Sequence, residues 1–277
     1  MGMAIRIRML SEPYMQRALL VALCMGPLCA LMGVFVTARR MAFFSDTISH
    51  GALAGVALGF WMGFSDPTVP MIVFSLMVAG VLVWLQENTE LLSDTILAVV
   101  LSGSVALGIV ILSSLKGYRG EIQSYLFGDI LAIGWADLRL GFVLLVVVSF
   151  GLFSNLTRLT LVTAHPELAH SCGVPVRILN YVFVVALTFV VTLSIRLLGI
   201  ILVTSLLVIP PAAARSLSCN LRQQICFSVL LGLVASLGGV VGSYHFDAPC
   251  GPMIVLVCLV LFVAAFLFGR LKGRVRP

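Results

Sequence analysis

The run Pro252-Met253-Ile254-Val255-Leu256-Val257-Cys258-Leu259-Val260-Leu261-Phe262-Val263-Ala264-Ala265-Phe266-Leu267-Phe268-Gly269 contains no charged side chain, no hydroxyl and no amide. At 1.5 Å per residue, a helix of this length crosses most of a hydrocarbon core of about 30 Å. Lipid offers no partner to backbone N–H and C=O groups, so the helix, which satisfies them internally, is the form such a run takes. Comparable runs recur at about 18–37, 45–64, 68–86, 92–113, 137–156, 179–196, 198–214 and 224–243. The sequence therefore predicts an all-α polytopic membrane protein with eight to nine transmembrane segments. It reads as one transmembrane domain over residues 1–277, with its longest extramembrane stretches at about 114–136 and 157–178. Segments 45–64 and 198–214 are short and carry polar or proline residues, which marks them as candidates for broken or partial spans.

Composition agrees. Of 277 residues, 61% are hydrophobic and 10% charged, and the mean hydropathy is +1.15. A soluble domain carries roughly 25% charged and about 45–50% apolar residues, so a soluble enzyme, a disordered chain and a disulfide scaffold are excluded. The short alternating segments of a β-barrel are missing. Net charge is +6 and the pI about 9.2. The basic residues sit in short clusters between apolar runs, as in cytoplasmic loops, which points to membrane lipid and away from nucleic acid. The seven cysteines lie mostly within apolar runs without a C-x-x-C pair and read as small hydrophobes. The first apolar run starts near Arg17 and is long enough to remain as a helix rather than a cleaved leader.

Arginine and lysine set the orientation. Arg39, Arg40, Arg158, Arg177, Arg215, Arg222, Arg270, Lys272, Arg274 and Arg276 fall on one side, with an even number of segments between successive clusters. That side is expected to be cytoplasmic, with 114–136 outside. Nine crossings place the N-terminus outside, against the evidence of Arg6 and Arg8.

Asp46 and His50 lie in the stretch Arg39-Arg40-Met41-Ala42-Phe43-Phe44-Ser45-Asp46-Thr47-Ile48-Ser49-His50-Gly51 and share a helix face. Ionisable residues inside a span are costly and usually face a partner or a pathway. A carboxylate and an imidazole together suit Zn²⁺ or Mn²⁺. Two ligands are too few for a tight site, whereas a homodimer would supply two Asp and two His. On spacing alone, Asp46 capping the helix near the interface and His50 hydrogen-bonding a neighbouring helix account for the pair more simply than a metal does. Gly51, Gly55, Gly59 and Gly63 recur every fourth residue, beside the Asp46/His50 line, and predict close packing of a neighbouring backbone. The juxtaposition suits a pore-lining helix; packing alone explains the glycines but not the Asp and His.

Thr163-Ala164-His165-Pro166-Glu167-Leu168-Ala169-His170-Ser171-Cys172-Gly173-Val174-Pro175 reads as a two-turn helix in a cytoplasmic loop. Pro166 and Glu167 suit its start, and Gly173 and Pro175 its stop. Such a short helix needs a surface to dock on, its own bundle or a partner. Farther on, Pro210-Pro211 interrupts an apolar helix with either a moving or a static kink.

These residues resemble the permease subunit of bacterial metal-ion ABC importers, the zinc, manganese and iron family, over about residues 14–269. The resemblance is carried by R-R-M-A-F-F-S-D-T-I-S-H-G-A-L-A-G-V-A-L-G, by Y-L-F-G-D-I-L-A (Tyr125 to Ala132), by P-E-L-A-x-x-x-G and by L-L-V-I-P-P-A-A-A-R. It implies a type II ABC-importer-like permease acting as a homodimer with two cytoplasmic ATPase subunits and an extracytoplasmic metal-binding protein. It implies that Asp46 and His50 meet the metal, and that a coupling helix at about 165–173, with Pro166, Glu167, Ala169 and Gly173, docks on the ATPase. Gly51, Gly55, Gly59 and Pro210 would serve helix packing and gating. No cofactor would be held permanently; the cargo would be Zn²⁺, with Mn²⁺ or iron, carried by importers of the same family, the alternative, and the Tyr125–Ala132 loop favours zinc. Pro211 stands where the family usually has Ala, and His165 where a better capping residue is common.

The chain has no Gly-Lys dipeptide and so no Walker A motif, which leaves ATP hydrolysis to a partner. A proton-driven carrier would use several intramembrane acids, and Asp46 is the one expected inside a pathway. A metalloprotease would need H-E-x-x-H, and none of the four histidines is so placed. His245 and Asp247 in an outer turn are expected to be solvated loop residues, Asp94 at a span start an N-terminal helix charge, and His170 a surface residue of the short helix. Arg196 near an outer span end is expected to snorkel.

Overall fold

The computed structural model describes residues 13–114, 128 and 134–271. The helices are α1 (Pro13–Ala38), α2 (Ala42–Trp61), α3 (Thr68–Asn88), α4 (Ser93–Ser114), α5 (Trp135–Ser154), α6 (Leu156–Ala164), α7 (Pro166–Ser171), α8 (Val176–Leu198), α9 (Ile200–Leu217), α10 (Leu221–Phe246) and α11 (Cys250–Leu271). Eight of them are long and apolar enough to cross a membrane. The ninth long helix is α2, with 20 residues, enough for about 30 Å. Its Ser, Thr, Asp and His lower its hydropathy, and burial among other helices replaces lipid as its surroundings. Neither α2 nor α9 is interrupted, so the short segments expected to be broken are continuous helices. The Tyr125–Ala132 loop, apart from Gly128, and the terminal basic residues Arg6, Arg8, Lys272, Arg274 and Arg276 lie outside the described residues.

Helix α1 is the central element, packed against α9 and α10. Small residues make its seams. A Cβ on Gly26 would collide with Ser236, and one on Gly232 would lie 2.6 Å from the Ala30 Cβ. Across the same seam, Ser228 donates to the Ala30 carbonyl at 2.8 Å and Ser236 to the Ala22 carbonyl at 2.9 Å. Membrane helices associate through such close packing and interhelical hydrogen bonds, because burial from lipid supplies little hydrophobic drive.

Apolar faces turn outward elsewhere. Val69, Val73, Met77, Val81 and Trp84 form an exposed line along α3, and Leu256, Val260, Val263 and Leu267 one along α11. In water such surface would be untenable; against acyl chains it is the expected coat.

Local chemistry sets the turns. Helix α1 stops in a Schellman pattern, with Met41 N–H donating to the Val36 carbonyl at 2.8 Å and Arg40 N–H to that of Thr37 at 3.2 Å. The left-handed position falls on Arg40, with φ 58°, where glycine is usual. Gly199, with φ 81°, is the single residue between α8 and α9. Gly63 lies beyond the end of α2 in a left-handed turn with open space around it, so it is a turn glycine and not part of the packing stripe.

The two ends of the bundle differ. Arg39 and Arg40 line one cavity and Arg215 another, and Thr163 borders both, so the basic clusters converge at one end. By the positive-inside rule that end faces the cytoplasm.

Candidate metal-transfer site and docking helix

Helix α2 is buried on almost every side. Its accessible positions, Ala42, Phe43, Asp46, His50, Leu53, Leu58 and Trp61, lie along one face. Phe43 and Trp61 are strongly exposed at its ends, with the two ionisable residues between them in the inner half. Asp46 and His50 side chains are 36% and 33% accessible, and His50 Nε2 lies 3.9 Å from Asp46 Oδ1. That separation is too long for a hydrogen bond, so both groups keep lone pairs available. The neighbouring hydroxyls do not compete. Ser45 donates to Ala42 O at 2.7 Å, Thr47 to Phe43 O at 2.8 Å and Ser49 to Ser45 O at 2.8 Å, each inside the helix.

The glycines set the height and rotation of this face. A Cβ on Gly55 would lie 2.9 Å from Met71 Cα and Phe74 Cβ, and one on Gly59 2.7 Å from Pro67 Cβ. Gly51 is looser, with Val78 Cγ2 at 3.3 Å. Helix α3 therefore rests directly on the glycine face, and the Asp46/His50 face is turned away from it. Among the described residues no three His, Cys, Asp or Glu side chains converge to hold a metal, so one chain offers Asp46 and His50 as a pair.

Helix α7 has six residues and no side-chain N-cap at His165. Pro166 opens it and Glu167 sits in its first turn. It closes with Val174 N–H donating to the Ala169 carbonyl and Gly173 N–H to that of His170, both at 3.0 Å, with Gly173 left-handed at φ 73°. Ala169 is fully buried and is the point by which α7 rests on its own bundle. Pro166, Glu167, Leu168, His170 and Ser171 are exposed. An isolated helix this short is unstable; its anchor at Ala169 and its closed C-terminus hold it with one face free. The preceding α6 was not apparent in the sequence; it packs Leu159 and Val162 inward.

Pro210 and Pro211 are buried within α9. Without their N–H groups, the Leu206 and Leu207 carbonyls lose their helical donors. The Leu207 carbonyl lies so close to Gly33 of α1 that a Cβ there would collide with it.

At the opposite end Arg196 does not simply snorkel. Its Nη1 lies 3.0 Å from Asp66 Oδ2 and its Nε 3.3 Å from Asp137 Oδ1, and it also donates to Thr68 Oγ1. One guanidinium thus ties the α2–α3 turn, the start of α5 and the end of α8. Partial burial raises the Asp66 pKa, but hydrogen bonds from the Thr68 hydroxyl and amide and the Arg196 charge outweigh it and hold the carboxyl below its ordinary value. His245 and Asp247 are exposed at the end of α10, where Asp247 is a left-handed cap with φ 51°.

A bundle of apolar helices that buries most of one helix with an Asp–His face, with a free short helix at the basic end, has the form of a membrane permease. The comparisons with known proteins make this specific: residues 11–269 match the ABC 3 transport family, and the chain belongs to it. The chain is 34% identical over 254 residues to the high-affinity zinc uptake system membrane protein ZnuB of Haemophilus influenzae, covering 91% of this chain and 96% of that one. It is 30% identical over 271 residues to the manganese transport system membrane protein MntC of Halalkalibacterium halodurans, covering 96% and 91%. PsaBC from Streptococcus pneumoniae, solved in complex with Fab, superposes with a TM-score of 0.85 at 29% identity, covering 96% of this chain and 95% of that one. This chain is thus the multi-pass permease subunit of a divalent-metal ABC importer in the bacterial cytoplasmic membrane, and ATP hydrolysis lies in a separate subunit.

Proposed function

We propose that the chain imports zinc as a homodimer, with Asp46 and His50 from each copy lining the shared pathway. The observation that carries this reading is the one accessible face of an otherwise buried α2, with the Asp46 and His50 side chains in its inner half. Two such faces brought together supply four ligands, the number zinc takes in its tetrahedral sites. The identity with the zinc uptake protein favours zinc, and manganese is the alternative cargo. The site must bind weakly enough to release its ion. The free face of α7, with Pro166, Glu167 and Leu168 outward and Gly173 closing the helix, is the surface for the ATPase. An extracytoplasmic binding protein delivers the metal at the other end. Pro210 gives α9 a compliant point as the pathway opens.

The test is ATP-dependent zinc uptake into proteoliposomes by Asp46→Asn and His50→Ala, assembled with the ATPase and the binding protein. Uptake is expected to fall at least about tenfold with assembly and ATP hydrolysis retained. Normal uptake by both variants would refute the site.

A further inference from the structure

We infer that Arg39 is the clamp through which the docking segment moves the metal-site helix. This rests on the reading of α7 as the ATPase-docking helix and of α2 as the metal helix. Arg39 lies between α1 and α2, seven residues before Asp46. Its guanidinium makes three contacts at once. Nε donates to Thr163 Oγ1 at 3.0 Å, Nη1 donates to Asn180 Oδ1 at 2.9 Å, and the group sits 4.4 Å from the centroid of the Phe183 ring.

The partners' positions in the chain give these contacts their meaning. Thr163 precedes Pro166 by three residues, and Asn180 follows Ser171 by nine. One side chain therefore holds both the entry to and the exit from the segment that carries α7. Thr163 is fixed in turn, since its hydroxyl donates to the Leu159 carbonyl at 2.7 Å. Beneath the clamp a cavity of about 430 Å³ is bordered by Pro166 on the docking side and by Met41 and Phe44 on the α2 side. Arg39 itself lines this space, between the two elements.

The connection on the α2 side is short and stiff. Arg39 N–H and Met41 N–H are bonded into the last turn of α1, and Arg40 is held left-handed. Helix α2 begins at Ala42, three residues after the clamp. A displacement of the 163–180 segment thus reaches α2 through a few bonded residues.

Arginine is required by geometry. A planar guanidinium offers donors in a fixed fork and a flat face for stacking, whereas a lysine ammonium is a point charge that cannot meet all three demands together. Burial pushes the Arg39 pKa down to about 10, which leaves it charged at neutral pH. Among the described residues its Nη2 is buried without a hydrogen-bond partner, so the hydrogen bonds to Thr163 and Asn180 and the contact with the Phe183 ring are what the clamp consists of.

The experiment uses the full importer complex with wild-type chain, with Arg39→Lys, and with a double variant Thr163→Val, Asn180→Leu that keeps Arg39 but removes its acceptors. Two quantities are read: metal taken up per ATP hydrolysed, and amide hydrogen exchange across residues 163–180 in the chain in nanodiscs. A clamp predicts faster exchange in both variants. It also predicts at least about a tenfold fall in uptake per ATP, within the usual range of coupling between sites, while the complex still assembles and hydrolyses ATP. Unchanged exchange in both variants overturns the clamp. Faster exchange with unchanged uptake per ATP overturns its role in transmission and leaves Arg39 a fastening only. A wild-type complex that hydrolyses ATP without ATP-driven metal uptake would instead overturn the import reading, and the exchange result still decides the clamp.

Discussion

Replacing Gly55 by Ala adds one methyl group within the close seam between α2 and α3. Its Cβ would lie 2.9 Å from Met71 Cα, 2.9 Å from Phe74 Cβ and 3.2 Å from the Pro70 carbonyl oxygen. Comfortable carbon contacts are about 3.5–4.0 Å, so the deficit is about 0.6–1 Å. Two of the three opposing atoms are backbone and cannot rotate away, so the helices must separate. Overpacking of this kind costs about 1–3 kcal/mol, against which alanine's better helix propensity returns at most about 1 kcal/mol. A net destabilisation of up to about 2 kcal/mol follows. Two other glycines grade the effect. At Gly51 the nearest atom is the Val78 Cγ2 methyl at 3.3 Å, which can give by a small rotation. At Gly103 nothing lies within 4 Å. The survival of monodisperse protein after heating in detergent should therefore rank Gly103→Ala highest, Gly51→Ala next and Gly55→Ala lowest. Because the same seam aims Asp46 and His50, Gly55→Ala should also lose uptake while Gly103→Ala keeps it. If Gly55→Ala matches Gly103→Ala in both measurements, the account of the seam is wrong.

Other outcomes follow from the same structure. Leu168 is 55% exposed on α7; Leu168→Asp should weaken association with the ATPase about tenfold or more, read as a dissociation constant, without lowering the permease's own stability. Because the folded pKa of Asp66 is depressed, its contribution is present above the ordinary carboxylate value of about 3.9 and is lost as pH falls through the lower folded value. Acid unfolding should show a component below about pH 4 that Asp66→Asn abolishes; identical acid profiles would refute the tie to Arg196. Gly33→Ala should destabilise strongly, since its Cβ meets the Leu207 carbonyl rather than a movable side chain; a variant as heat-resistant as wild type would show that α9 can shift there.

The apolar runs were legible because a span must be long and uncharged whatever its neighbours. The polar α2 was legible for the opposite reason: Asp46 and His50 are costly in lipid and stand out against it. Gly173 announced the stop of α7 because a Schellman close needs a left-handed residue. The equivalent close after α1 was hidden, since Arg40 occupies the position where glycine would have signalled it. Gly63 shows the limit of periodicity: it continues the spacing of four, but the helix ends at Trp61. Contacts far apart in sequence left no local trace. Arg39 meets Thr163 and Asn180 at separations of 124 and 141 residues, and Arg196 meets Asp66 at 130. Each arginine looks like an ordinary loop or interface charge until the helices that bring its partners are assembled. Gly33 likewise reads as one small residue in an apolar run, and only the carbonyl freed by Pro211 explains it.

The most direct measurement is ATP-dependent uptake of Zn²⁺ against Mn²⁺ in proteoliposomes containing this chain, its ATPase and its binding protein. The account predicts zinc uptake that requires ATP, is abolished by His50→Ala, and is little reduced by manganese in excess. Manganese uptake in preference to zinc would contradict the proposed cargo while leaving the permease intact. Uptake of neither metal by a complex that hydrolyses ATP would contradict the role of the Asp46/His50 line itself.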